Sequence, residues 1–166
     1  GNGSIRLVRP SGAPDSPPAN PAGTAMFWWW EKFDQMDAYR HYRPLARFVG
    51  EIPFLARQLQ PITTTTPPQR CRVLAWQSPD TVDGWIIHPD AAWYRQVVEA
   101  QPPPRVTGER LTLTGLAAGP HEIRWFDPWS GEFTGQPTTI ATAGDRLEVA
   151  IPSCTRDIAF RIRCQP

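Results

Sequence analysis

Residues 157–163 read Asp-Ile-Ala-Phe-Arg-Ile-Arg, and the parity of this stretch decides the fold class. Ile158, Phe160 and Ile162 fall on one parity; Asp157, Ala159, Arg161 and Arg163 fall on the other. Side chains of an extended chain point alternately to opposite faces, so this is a strand with one face on a core. The same alternation recurs on moving upstream. Leu147, Val149 and Ile151 alternate with Arg146, Glu148 and Ala150; Ile123 and Trp125 with Glu122 and Arg124; Leu111 and Leu113 with Arg110 and Thr112. Between these runs stand residues suited to turns: Gly115 and Gly119, Asp127-Pro128-Trp129-Ser130-Gly131, and Ala143-Gly144-Asp145. Two further strands, 71–77 and 82–88, bring the set to roughly seven. His88-Pro89-Asp90 is placed to cap a short helix over 91–100, with a ragged strand as the alternative. The expected fold is mainly β: an antiparallel, immunoglobulin-like β-sandwich over 71–166, with a strand–helix appendage before it.

Upstream of Arg70 the pattern changes. Pro10, Pro14, Pro17, Pro18 and Pro21 rule out regular helix in residues 1–22, which read as an irregular arm. Residues 23–62 read as a strand–helix segment. Its strand, 24–30, ends in Trp28-Trp29-Trp30, an apolar run of the kind found in strands buried on both faces. Asp34 or Asp37 can cap a helix, and Leu45, Phe48, Val49 and Ile52 follow at helical spacing. Pro44 either kinks that helix or opens a second one. The run Thr63-Thr64-Thr65-Thr66-Pro67-Pro68 reads as an extended connector over 63–70, with a strand end as the alternative, because paired prolines stop strand pairing.

Composition narrows the function. The chain has 166 residues and a net charge of +1, with 17 basic and 16 acidic residues and no clustered basic stripe of the kind that grips nucleic acid. No apolar run approaches the roughly 18 residues of a membrane span. The first residues, GNGSIRLVRPSG, lack the apolar core of a secretory signal. Twenty prolines favour turns and edges over long helices, and eight tryptophans serve either as core filling or as flat ligand platforms. Cys71, Cys154 and Cys164 match no zinc spacing; Cys71 and Cys164 sit near the ends of the first and last sandwich strands, where a bridge is one option. His41, His88 and His121 are scattered, with no metal-binding or catalytic pattern, so no cofactor and no metal is expected.

The order of these segments resembles a known family. GTAMFWWWEKFDQMDAYRHYRPLARFV, residues 23–49, resembles the eighth strand and following helix of (β/α)8 glycoside hydrolases of the cellulase and mannanase type. Gly84 to Arg163 resembles the small β-sandwich that follows such barrels. The landmarks are Gly84-Trp85-Ile86, Gly108 to Leu116, Gly119 to Gly131 with Trp125-Phe126-Asp127, and Pro152 with Asp157-Ile158-Ala159. The resemblance implies two catalytic glutamates on earlier barrel strands, about 5–5.5 Å apart across the scissile bond in a retaining enzyme. The acid/base glutamate of the family usually follows an asparagine; here Asn2 and Asn20 precede Gly3 and Pro21. The chain by itself is therefore expected not to hydrolyse polysaccharide. The resemblance also implies a secreted or extracytoplasmic setting.

The expected carbohydrate contacts are Trp28, Trp29 and Trp30, which match the aromatic floor of the family, and Glu31, which either accepts sugar hydroxyls or flanks the helix start. Trp129 stands in a turn, where a tryptophan stacks on a ligand, makes an interface contact or packs over the sheet edge; Trp93, Tyr94 and Phe126 would extend its patch. The primary reading of function is a non-catalytic C-terminal accessory domain that packs on a catalytic barrel, stabilises it and contacts polysaccharide. A fragment or subunit of an active glycoside hydrolase with its glutamates upstream is one alternative, and a protein-binding adhesion sandwich is another. The expected partners are a barrel domain or a polysaccharide, or a second copy of the chain through the Trp-rich segment.

Overall fold

The computed structural model describes residues 30–54, 58–62, 64–66, 70–88, 90–92 and 94–165. They fall into two units, the first ending at Arg40 and the second beginning at His41.

The described part of the first unit is built on α1, Trp30–Gln35. Trp30, expected as the last residue of a strand, opens this helix instead. The charged and polar residues Glu31, Lys32, Asp34 and Gln35 suit a solvated helix better than a pleated sheet. Neither aspartate caps it. Asp34 lies inside α1, and Asp37 follows in the left-handed region (φ 47°), its N–H bonded to the Asp34 carbonyl at 3.1 Å. The Phe33 and Tyr39 rings lie 6.2 Å apart, and the Tyr39 hydroxyl donates to the Trp30 carbonyl at 3.4 Å. A 3-10 segment, Ala38–Tyr42, leads on to α2, Arg43–Gly50. Pro44 stands in the first turn of α2, where its missing N–H costs nothing.

The second unit is an antiparallel β-sandwich. Its strands among the described residues are β1 (Gln60–Pro61), β2 (Thr64–Thr66), β3 (Arg72–Ser78), β4 (Thr81–Ile87), β5 (Arg110–Leu113), β6 (Pro120–Asp127), β7 (Glu132–Ala141), β8 (Leu147–Ala150) and β9 (Ile158–Cys164). One sheet has the order β1-β3-β4-β9-β6-β7 and the other β2-β5-β8. Of the strands after Arg70, β3 to β6, β8 and β9 are those expected individually, and β7 is an addition. Two more lie upstream: β1 at the end of the segment read as strand–helix, and β2 in the segment read as connector. Thr64 and Thr66 pair with Leu113 and Thr112 of β5, so the threonine run forms an edge strand. Threonine is β-branched and suits an extended, paired backbone. The helix expected over 91–100 is reduced to a π-helical turn, Tyr94–Val98, which ends before Ala100 in the left-handed region (φ 51°) and the prolines 102–104.

Alternation fixes what lies between the sheets. Val82 and Ile86 of β4, Ile123 of β6, and Phe160 and Ile162 of β9 meet Leu111, Leu113, Leu147 and Val149 of the second sheet in one buried cluster. Gly84 is required inside this layer. A Cβ there would stand 2.3 Å from Phe160 Cζ and 2.8 Å from Ala75 Cβ, because the Phe160 ring lies over its cross-strand partner. Two polar atoms in the interior lack a partner among the described residues: Gln77 Oε1 and Nε2 of the fully buried His121.

Candidate functional site

The outer face of the larger sheet is covered as well. Phe48 of α2 is buried with Phe126 and Ala159, and Ile52, Trp85 and Phe133 pack around them. The Phe48 ring lies 5.2 Å from Phe126 and 5.9 Å, edge to face, from Trp85; Phe126 in turn meets Phe133 at 5.2 Å. Further along, Phe54 stands edge-on to Trp76 of β3 at 6.2 Å. Residues 43–54 thus cross the sheet from the β6–β7 turn to β3. Of the expected apolar stripe, Phe48 is buried, Ile52 packs beside it and Val49 is left exposed.

Polar groups fix the helix in place. Asp83 and Arg161 are cross-strand partners on the covered face, and Arg161 Nε donates to Asp83 Oδ1 at 2.7 Å. The remaining Arg161 donors reach the second layer: one nitrogen donates to Glu51 and the other to the Phe48 carbonyl at 3.0 Å. A cation that satisfies a carbonyl in the last turn of a helix favours that helix end. Arg163 donates to both Asp83 oxygens at 2.9 Å, so two guanidinium groups are balanced by two carboxylates. The helix is also tied to the β6–β7 turn: Arg47 donates to the Gly131 carbonyl at 2.7 Å and to the Glu132 carboxylate. Pro44 packs so closely on Gly131 (φ 76°) that an added Cβ would touch it at 3.4 Å.

That turn presents Trp129. The Trp129 N–H donates to Asp127 Oδ1 at 2.9 Å, and the Gly131 N–H to the Asp127 carbonyl at 2.9 Å, so the turn is pinned on both sides. The indole is 61 % exposed, and the Arg156 guanidinium carbon lies 4.8 Å from its ring centroid. A guanidinium at this distance from an indole face is held by cation–π attraction. An exposed flat apolar ring with a cationic donor group beside it is chemically suited to the C–H face and hydroxyls of a sugar.

Phe126, expected to extend this patch, does not. Phe126 is fully buried beneath Phe48 and Phe133 and belongs to the core. Trp28, Trp29 and Trp93 lie outside the described residues. Trp30 and Glu31 are exposed on α1, in the first unit. His88 is buried and hydrogen-bonded. Its Nδ1 accepts the Asp90 N–H at 3.2 Å, so Nε2 carries the proton donated to the Pro104 carbonyl at 2.9 Å. A shallow cavity of about 200 Å³ is lined by Asp90, Arg95, Gln101 and Pro102 to Pro104, but its Arg95 is already paired with Asp90. Among the described residues no three His, Cys, Asp or Glu side chains converge on a metal position, and no helix is long and apolar enough to cross a membrane. The Arg161–Asp83 pair and Arg156 were not legible beforehand. An Arg of outward parity reads as solvated, and the only hint was the small Ala159 beside it, which leaves room for a covering layer.

No protein-family model matches the chain, and no curated protein matches it. A solved structure described as a glycoside hydrolase is similar at a TM-score of 0.44 and 12 % identity, over 92 % of this chain and 30 % of that one. The present chain thus spans less than a third of the length of that protein.

Proposed function

We propose that the chain is a non-catalytic accessory part of a polysaccharide-degrading glycoside hydrolase, which docks on a catalytic barrel and holds polymer at Trp129. One observation carries this reading. The helix that continues the barrel-like segment is built into the sandwich, with Phe48 in its outer cluster and its last turn held by Arg161. A helix held on a sandwich in this way suits a module that docks on a larger protein, and stable docking buries about 800 Å² per partner. The pinned turn supports the second part, since it carries an exposed indole at no further ordering cost.

The test is calorimetry of the full chain with soluble β-glucan and with mannan, alongside a hydrolysis assay on both. Heat of binding with one polymer, lost in Trp129→Ala, and no reducing ends released is the expected result. Absence of heat with every polymer removes the carbohydrate contact and leaves docking alone, and unaided cleavage of either polymer defeats the whole reading.

A further inference from the structure

We infer that Cys71 and Cys154 form a disulfide that joins the two sheets at one end of the sandwich when the protein meets a disulfide oxidant. Both are free thiols in this structure and half-buried. Cys71 directly precedes β3, and the register Arg72↔Ile87 brings it beside His88. Cys154 extends the second sheet: it bridges Val106 by hydrogen bonds of 2.8 and 3.1 Å, in line with the Ile151–Glu109 bond and the Arg110↔Ala150 pair.

Contacts from both sides draw these points together. The Arg70 N–H reaches Glu109 Oε2 at 3.5 Å. The His88 N–H donates to Asp157 Oδ1 at 2.8 Å, and its ring to the Pro104 carbonyl at 2.9 Å. The neighbours of Cys71 therefore touch the segments on either side of the Val106–Cys154 bridge. The electrostatics agree: burial first, then Cys154, Glu109 and Asp157, push the Cys71 thiol up to about 11, and burial with Asp157 raises that of Cys154. Cys164 is excluded. It ends β9, which begins at Ile158, and is paired with His121 at the opposite end of the sheet, roughly 20 Å from the Cys71 end at strand rise. The bridge between Cys71 and Cys164 that strand ends suggested is thus ruled out by strand direction.

The chemistry is thiol–disulfide exchange. One cysteine thiolate attacks a small disulfide such as oxidised glutathione, forming a mixed disulfide and expelling one reduced glutathione. The second thiolate attacks the protein sulfur of that bond and expels the other. Two protons leave the protein thiols, and the two electrons pass to the glutathione. The inference stands whether or not the chain binds polysaccharide.

The test is incubation of the folded full-length chain with oxidised glutathione at mildly alkaline pH, followed by alkylation, digestion and mass spectrometry. Two of the three thiols should disappear, with a Cys71–Cys154 linked peptide and alkylated Cys164; Cys164→Ser should give the same link. The melting temperature should rise by roughly 10 °C and fall back on reduction. A link to Cys164, glutathione adducts that never resolve, or thiols that react only after unfolding would each overturn it.

Discussion

Arg161 and Asp83 face each other across neighbouring strands with side chains 8 % and 0 % exposed, and their 2.7 Å contact underlies the only helix that covers the sheet among the described residues. Asp83→Asn leaves two guanidinium groups facing a neutral amide in a dry layer. Loss of one partner of a buried pair costs about 3–5 kcal/mol, so urea unfolding should register a loss of that size. Glu51, whose side chain is 52 % exposed, contacts the same Arg161, and Glu51→Gln should cost at most about 1 kcal/mol. Equal effects of the two variants would show that burial of the pair is not what matters.

Phe48 is the apolar counterpart of that pair. Phe48→Ala should cost about 3–5 kcal/mol and expose residues 43–54 to limited proteolysis while the sandwich core stays protected. Cleavage confined to other segments would count against the docking of α2 on this face.

Gly84→Ala places a methyl group against the Phe160 ring. Overpacking of this kind costs about 1–3 kcal/mol. Adding Phe160→Leu should recover part of the loss, so the double variant should be more stable than the sum of the single effects implies. Strict additivity in denaturant unfolding would show that the ring does not occupy the space above the glycine.

Trp129→Ala should leave unfolding free energy within about 0.5 kcal/mol of the parent, because the ring is mostly in water. Its effect should fall on polysaccharide binding, with affinity lowered about tenfold or more. A large loss of stability would instead assign the ring to packing.

The Cys71 thiol adds an alkaline limit to the reduced protein. Its value rises from 9.0 to about 11 on folding, so between those limits the native chain holds more protons than the unfolded one. Stability from this source is complete below pH 9, falls as pH rises towards about 11, and is lost above that. Thermal melts of reduced protein across this range should show the decline, and Cys71→Ser should flatten it.

Much of the sandwich was legible because period-two alternation is local: β5, β6, β8 and β9 announce their inner face in their own residues, and the turns around them carry glycine or aspartate, whereas β7, with Gly135 and Pro137 inside it, carries no such pattern. The Thr64–Thr66 strand was harder to read, since pairing with β5 is a property of two distant segments and the adjoining prolines argued against it. Trp129 was legible as a turn residue. Phe126 was not legible as core, since outward parity on a strand says nothing of what lies above the sheet.

Sequence by itself determined the β class and most of the strand set after Arg70, because these follow from interactions within a few residues along the chain, and it narrowed Pro44 to a kink or a helix start. Tertiary structure alone decided that a second apolar layer covers the sheet, that Arg161 and Asp83 are buried partners, and that Cys71 neighbours Cys154 and not Cys164. Those relationships depend on strand order and direction. Residues far apart in the chain become neighbours only when the sheets assemble, and the low dielectric that makes their charges and thiols matter exists only then.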